Sequence, residues 1–163
     1  MLRITVAAIL LALAFVSAPV SYAVDDPVID VPNDDAEMNA AMAKARKTLP
    51  EFWRQFDKPG EGINGFCLKV RISSGKNSEH FWLRDIRREG KKYSGIIDND
   101  PAIVKTVKIG DRYTFTDEQI SDWSFMRNGK IVGNQTARVL VKRLPPDQAE
   151  IYKNMLEPEA DAK

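Results

Sequence analysis

The strongest constraint on this chain is the run from Gly62 to Lys142, where short alternating segments are cut by turn residues every eight to twelve positions. Phe66, Leu68, Val70 and Ile72 alternate with Cys67, Lys69, Arg71 and Ser73. A period of two places such sets on opposite faces of a half-exposed strand. Ser74-Gly75-Lys76-Asn77 closes that strand, and a second runs from Glu79 to Arg88. On strict alternation Phe81, Leu83 and Asp85 face one way, and His80, Trp82, Arg84 and Ile86 the other. Glu89 to Lys92 turns into Tyr93–Ile97, and Asp98-Asn99-Asp100-Pro101 breaks the pattern again.

Val104–Lys108 and Arg112–Phe115 flank a hairpin or bulge at Ile109-Gly110-Asp111, and Thr116-Asp117-Glu118 caps a single helical turn. Trp123–Arg127 reads as a strand, with Asn128-Gly129 as a two-residue turn in which both positions need positive φ. Thr136–Lys142 is rich in β-formers and predicts a further strand. Helical periods appear only at the two ends. Asp34 to Glu37 offers a capping box ahead of Met38, Met42, Ala45 and Leu49. Pro50 predicts a break, with Thr48 capping a second, shorter helix that carries Phe52, Trp53 and Phe56. Ala149, Tyr152, Met155 and Leu156 mark a C-terminal helix of about three turns. The expected class is α+β: N-terminal helices on a curved antiparallel sheet of five to seven strands, open or barrel-like, with a short C-terminal helix.

The N-terminus has a different logic. Arg3, an apolar run from Ile4 to Val16, and Ser21-Tyr22-Ala23 make the three-part layout of a secretory signal. A membrane anchor needs about 20 apolar residues, and Pro19, Ser21 and Asp25-Asp26 arrive too soon. Residues 1–23 are thus expected to be removed, leaving no stable membrane anchor and an exported, periplasmic protein. Residues 24–33 hold two prolines and read as an extended linker, 34–157 as one domain, and 158–163 as a frayed tail. Loss of Arg3 balances the 24 basic against the 23 acidic residues. Nucleic-acid binding is not expected from such a balance, because phosphate contacts dominate that affinity. Cys67 stands alone, which excludes an internal disulfide and predicts an inert, largely buried thiol. One cysteine and one histidine do not make a closed zinc site. The glycines of residues 60–65 have the wrong spacing for a phosphate loop. No metal and no cofactor is expected.

Three islands remain as candidates for function. Glu79-His80-x-Trp82 contains the only histidine. On a strand Glu79 and His80 point to opposite faces, whereas His80 and Trp82 share one. His80 is the one candidate catalytic base, with Ser78, Ser121, Thr136 or Asp122 brought to it from elsewhere. In Ile120-Ser121-Asp122-Trp123, Ser121 or Asp122 ends the preceding turn and Trp123 anchors a strand. In Gly133 to Arg138, Asn134 suits a left-handed turn and Arg138 offers a planar fork to Asp122 or, alternatively, Glu79.

These islands, with Gly95-Ile96-Ile97-x-Asn99-x-Pro101 and Lys108-x-Gly110-Asp111-x-x-x-Phe115 between them, resemble the YegJ-like bacterial domain family over about residues 35–157. The resemblance implies a fold and no reaction, since that family has no established activity. Related domains attached to ankyrin repeats imply a module used in recognition. The sequence thus points to a binding or interaction module for a protein or small-molecule ligand, using Glu79, His80, Trp82, Asp122, Trp123, Asn134 and Arg138. The alternative is a hydrolase-like acid–base enzyme built on His80.

Overall fold

The computed structural model describes residues 34–159 apart from Lys91; the expected signal and linker, and residues 160–163, lie outside the described residues. One helix, α1 (Ala36–Asp57), precedes strands β1 (Ile63–Ser74), β2 (Asn77–Glu89) and β3 (Lys92–Ile97). Then come β4 (Arg112–Phe115), a single 3-10 turn (Asp117–Gln119), β5 (Ile120–Arg127) and β6 (Lys130–Gly133). Helices α2 (Gln135–Val141) and α3 (Pro146–Met155) close the chain. The six strands form one antiparallel sheet in the order β4-β3-β2-β1-β5-β6. β4 and β6 are its two edges, so the sheet is open and the barrel-like variant does not form. No helix among the described residues is long and apolar enough to cross a membrane.

Pro50 does not divide the N-terminal helix; it lies inside α1. A proline there removes one helical hydrogen bond and crowds the preceding turn. The acceptor left without its helical donor is the Arg46 carbonyl; the two carbonyls before it are tied down by donors outside the helical ladder. Thr48 Oγ1 donates to Lys44 O at 2.9 Å and Ala45 O at 3.2 Å, and Trp123 Nε1 donates to Ala45 O at 2.9 Å. Beyond Pro50 the helix is held by packing. Phe52 is fully buried, its ring centroid 5.6 Å from Phe66 and 6.1 Å from Trp123, while Trp53 stacks on Tyr93 at 4.9 Å. Burying one such ring contributes about 2–3 kcal/mol, enough to offset much of the roughly 3 kcal/mol proline penalty. The N-cap is Asp35 rather than Asp34: its Oδ1 accepts from Met38 N at 2.9 Å. Glu37 reaches Lys142 and Arg143 instead of closing a capping box.

One face of the sheet, with Leu68, Val70, Phe81, Leu83, Ile97, Phe115, Ile120, Trp123 and Phe125, forms the main core against α1. A smaller cluster of Val141, Ala149 and Leu156 joins α2 and α3 to Ile131. Of three register shifts in the sheet, at Asn64/Cys67, Lys69/Val70 and Arg84/Arg87, the last two bear on the candidate residues. Between Arg84 and Arg87 the β2–β3 register shifts, and Asp85 takes φ 49°. Ile86 therefore enters the core and Asp85 faces out, opposite to strict alternation. Between Lys69 and Val70 the β1–β5 register shifts, leaving Ser121 as an extra residue on β5. A bulge of this kind bends the strand and sets two successive side chains against one partner.

Two expected strands are something else. Val104–Lys108 is turn, because the amides of Ala102, Ile103 and Val104 all donate to the Glu79 carboxylate and Val104 is drawn into the core. Thr136–Lys142 falls in α2, whose first amides find a carboxylate acceptor on β5. Tertiary capping there overrides the β-propensity of Thr136, Val139 and Val141. At the other end Glu159, placed by sequence in a frayed tail, is held by Lys44 and Gln135.

Candidate functional site

Pairing places Arg71 opposite His80, and Lys69 opposite both Trp82 on β2 and Asp122 on β5. The face turned away from the main core thus carries a row of Trp82, Lys69 and Asp122 beside His80. Arg71 and Arg84 on this face are exposed, and Lys69, His80 and Trp82 are half-buried. Lys69 Nζ sits 5.4 Å from the Trp82 ring centroid, a cation–π distance, and donates to Thr136 Oγ1 at 3.2 Å.

His80 Nδ1 lies 2.8 Å from Ser121 Oγ, and Ser121 Oγ donates to Lys69 O at 3.1 Å. A hydroxyl has one proton, and a carbonyl can only accept it. Ser121 therefore accepts from the imidazole, and the neutral ring carries its proton on Nδ1. Burial, then the charges of Lys69, Arg71 and Arg46, press the imidazolium pKa from its ordinary 6.5 to about 4. At neutral pH His80 is an uncharged donor. It does not withdraw the Ser121 proton, and Ser121 is fully buried. The structure thus brings His80 to Ser121, as an acid–base reading requires, but in this hydrogen-bond pattern the pair stands as donor and acceptor rather than as base and nucleophile.

This arrangement has a measurable consequence for stability. An unfolded chain takes up the His80 proton as pH falls through 6.5, whereas the folded chain refuses it until about 4. The neutral ring's contribution is therefore present above pH 6.5 and is lost on acidification towards 4, up to about 3 kcal/mol. Urea unfolding at pH 7.5 and 4.5 should show a larger acid loss for the wild type than for His80→Asn. Equal losses would contradict the assignment.

Asp122 is fully buried. Its Oδ1 accepts from Trp123 N at 2.8 Å and Gln135 N at 3.1 Å; Oδ2 accepts from Thr136 N and Thr136 Oγ1, both at 2.7 Å. Burial pushes its carboxyl up, while the bonds to Thr136 and Trp123 and the charge of Lys69 pull it down. Burial wins, so the carboxyl lies above its ordinary range; three of its four partners are backbone amides, which makes it chiefly an acceptor. It caps α2 from outside the helix, and the expected Asp122–Arg138 pair does not form. Arg138 instead donates from Nε to Gly133 O at 3.0 Å and from Nη2 to Glu157 O at 2.8 Å.

The other predicted residues scatter. Glu79 does not meet Arg138: its carboxylate holds the loop after β3 through three amides at 2.8–2.9 Å. Burial opposes its charge, yet those amides leave its pKa below the usual range. Trp123 is 3 % exposed and belongs to the core, so it cannot meet a partner. Asn134 adopts φ 51°, as its type allows, and precedes α2. Cys67 is half-buried, its thiol pushed up to about 11 by burial and the Asp98 charge against the pull of Arg84, which leaves it unreactive. Of the predicted set only His80, Trp82 and the hidden Asp122 share one face. Lys69 and Arg71 complete it. Their alternation with Leu68 and Val70 is visible in sequence, but their cross-strand partners are not. Two shallow clefts, of about 320 and 430 Å³, are lined by neither His80 nor Trp82, though the larger borders this face at Cys67 and Arg84.

An open antiparallel sheet with a helix on one face and a largely polar, tryptophan-bearing second face defines an α+β domain. The chain belongs to the bacterial family described as "Uncharacterized protein conserved in bacteria (DUF2314)", whose model matches residues 35–157. It is similar to the uncharacterized protein YegJ of Escherichia coli K12, with 31% identity over 142 residues, covering 87% of this chain and 92% of that one. It is also similar to a Neisseria meningitidis serogroup B protein named for ankyrin repeats, with 28% identity over 124 residues; the match covers 71% of this chain and 49% of that protein. No solved structure matches the chain.

Proposed function

We propose that the chain is an exported, periplasmic recognition module that binds a partner protein through the sheet face around Trp82, Lys69, Arg71 and His80. The observation that carries this reading is a half-exposed tryptophan, with Lys69 against its ring, on an otherwise polar face. Tryptophan and arginine most often dominate interface energies. Small-molecule sites are concave and mostly apolar, whereas Trp82 and His80 line neither cleft, which favours a macromolecular partner. The half-length match to a protein named for ankyrin repeats agrees with use as a recognition unit, since repeat solenoids present extended binding surfaces. The signal layout at residues 1–23 supports export.

The test is affinity capture from periplasmic extract with wild type, Trp82→Ala and Arg71→Ala, using Ile151→Ala, at an exposed position of α3, as the control. Capture of one protein should fall more than tenfold in the first two variants and hold in the control, and the recovered chain should begin at Val24. A partner retained by folded Trp82→Ala would overturn the binding face; an intact N-terminus would overturn export.

A further inference from the structure

The cleft between α1 and α2 contains a carboxylate supplied by the chain's own C-terminal segment. After α3 the chain passes the β6 edge, where Ile131 and Leu156 form an isolated parallel bridge and Glu157 N donates to Ile131 O at 2.8 Å. Arg138 Nη2 holds Glu157 O from the other direction. Two residues on, the Glu159 side chain enters a cleft of about 320 Å³ lined by Ala40, Ala41 and Val139. Its Oε1 accepts from Gln135 Nε2 at 2.7 Å, its Oε2 from Lys44 Nζ at 2.5 Å, and Arg138 Nε lies 3.6 Å away.

The Lys44 and Glu159 side chains are themselves partly exposed, at 49% and 39%, but two features distinguish the site from an isolated surface ion pair. Gln135 is 8 % exposed, so a neutral amide has been withdrawn from water with its donor aimed at the carboxylate. Leaving that donor without an acceptor would cost about 1–3 kcal/mol. The backbone ahead of the carboxylate is also recognised, at Ile131 and Arg138, in the manner of a peptide added to a sheet edge. Pro158 disfavours the helical region for Glu157 and so keeps the segment extended. Glu37 is a second carboxylate on the cleft, and Lys142 at 3.5 Å and Arg143 at 3.2 Å offset its charge. Burial works against ionised Glu159, but Lys44 and Gln135 outweigh it and hold the carboxyl below its usual range.

We infer that the α1–α2 cleft is a binding site for the carboxylate of a glutamate-bearing peptide, occupied in cis by Glu159 and able to take such a side chain from a partner protein. A tethered segment competes at an effective concentration of about a millimolar, so the site is masked until its resident is displaced. The site shares no residue with the Trp82 face, and its test is independent of that reading.

The test uses the full chain carrying Glu159→Ala and a capped Leu-Glu-Pro-Glu tetrapeptide, followed by the NMR signal of the Gln135 side-chain amide. Saturable movement of that signal is expected. Half-saturation should be at least fivefold higher in the wild type, whose own tail competes, and at least fivefold higher when the last residue of the peptide is glutamine. Adding Lys44→Gln should weaken binding further, and acetate at equal concentration should leave the signal in place. Absence of saturable movement, an equal response to the two peptides, or acetate matching the peptide would each overturn the inference. Should circular dichroism show Glu159→Ala to be misfolded, Glu159→Gln must give the same order of affinities.

Discussion

Replacing Asp122 with alanine is expected to lower the free energy of unfolding by about 4 kcal/mol, a large share of what a domain of this size has. The carboxylate accepts from the amides of Trp123, Gln135 and Thr136 and from the Thr136 hydroxyl, all in a fully buried position. Alanine offers none of these donors a partner, and each buried orphan costs about 1–3 kcal/mol. Two of the amides open α2, so the penalty is concentrated where Gln135 and Thr136 leave the sheet edge. Asp122→Asn should cost less than alanine but more than a surface change, because its amide nitrogen must confront a backbone donor. Urea unfolding followed by tryptophan fluorescence measures both. A shift below about 1 kcal/mol for alanine would mean that water replaces the carboxylate and that α2 is not organised by it.

That prediction turns on a contact no pattern in the chain announces. The sheet was readable because its signals are local. Phe66 to Ser73 alternates cleanly, and Asn128-Gly129 can hardly do anything but turn, with φ of 49° and 78° as observed. The departures all come from partners distant in sequence. Pro50 should end a helix, yet the Trp123 indole and Thr48 hydroxyl anchor the turn before it and buried Phe52 holds the turn after it. Thr136 to Val141 has the composition of a strand and becomes a helix because a β5 carboxylate caps it. The alternation through Asp85 and Ile86 inverts at a bulge whose only local hint is an aspartate able to hold positive φ.

The candidate site follows the same division. His80 and Trp82 were legible as a pair because i and i+2 share a strand face. Arg138 was not, since its three visible partners are backbone carbonyls and a C-terminal glutamate. Trp123 looked like an anchor for recognition and proves to be an anchor for α1. The extra residue at Ser121 keeps Asp122 opposite Lys69 and returns Trp123 to the core face. A single inserted residue thus decides which of two adjacent side chains a partner could ever meet.

Gly133→Ala should be the most damaging single-methyl addition in the fold, costing about 3–5 kcal/mol. Gly133 sits at φ 78°, where any side chain is strained by about 1–2 kcal/mol. A β-carbon there would also stand 2.5 Å from Trp123 O and 2.6 Å from Trp123 Cε3. Neither neighbour can retreat. The Trp123 carbonyl accepts from Asn134 N at 2.8 Å, and its indole is tied to Ala45 O and stacked on Phe125 at 5.7 Å. Gly129 supplies the matched control, because it has the same φ of 78° but open space where its β-carbon would go. Gly129→Ala should therefore carry the conformational penalty alone, about 1–2 kcal/mol, and the difference between the two variants isolates the packing cost. Urea midpoints give that difference, and near-ultraviolet circular dichroism reports the Trp123 environment directly. If the two alanines cost the same and the aromatic signal stays put, then the β5–β6–α2 corner yields, and Trp123 is not the fixed post against which α1, β6 and α2 are set.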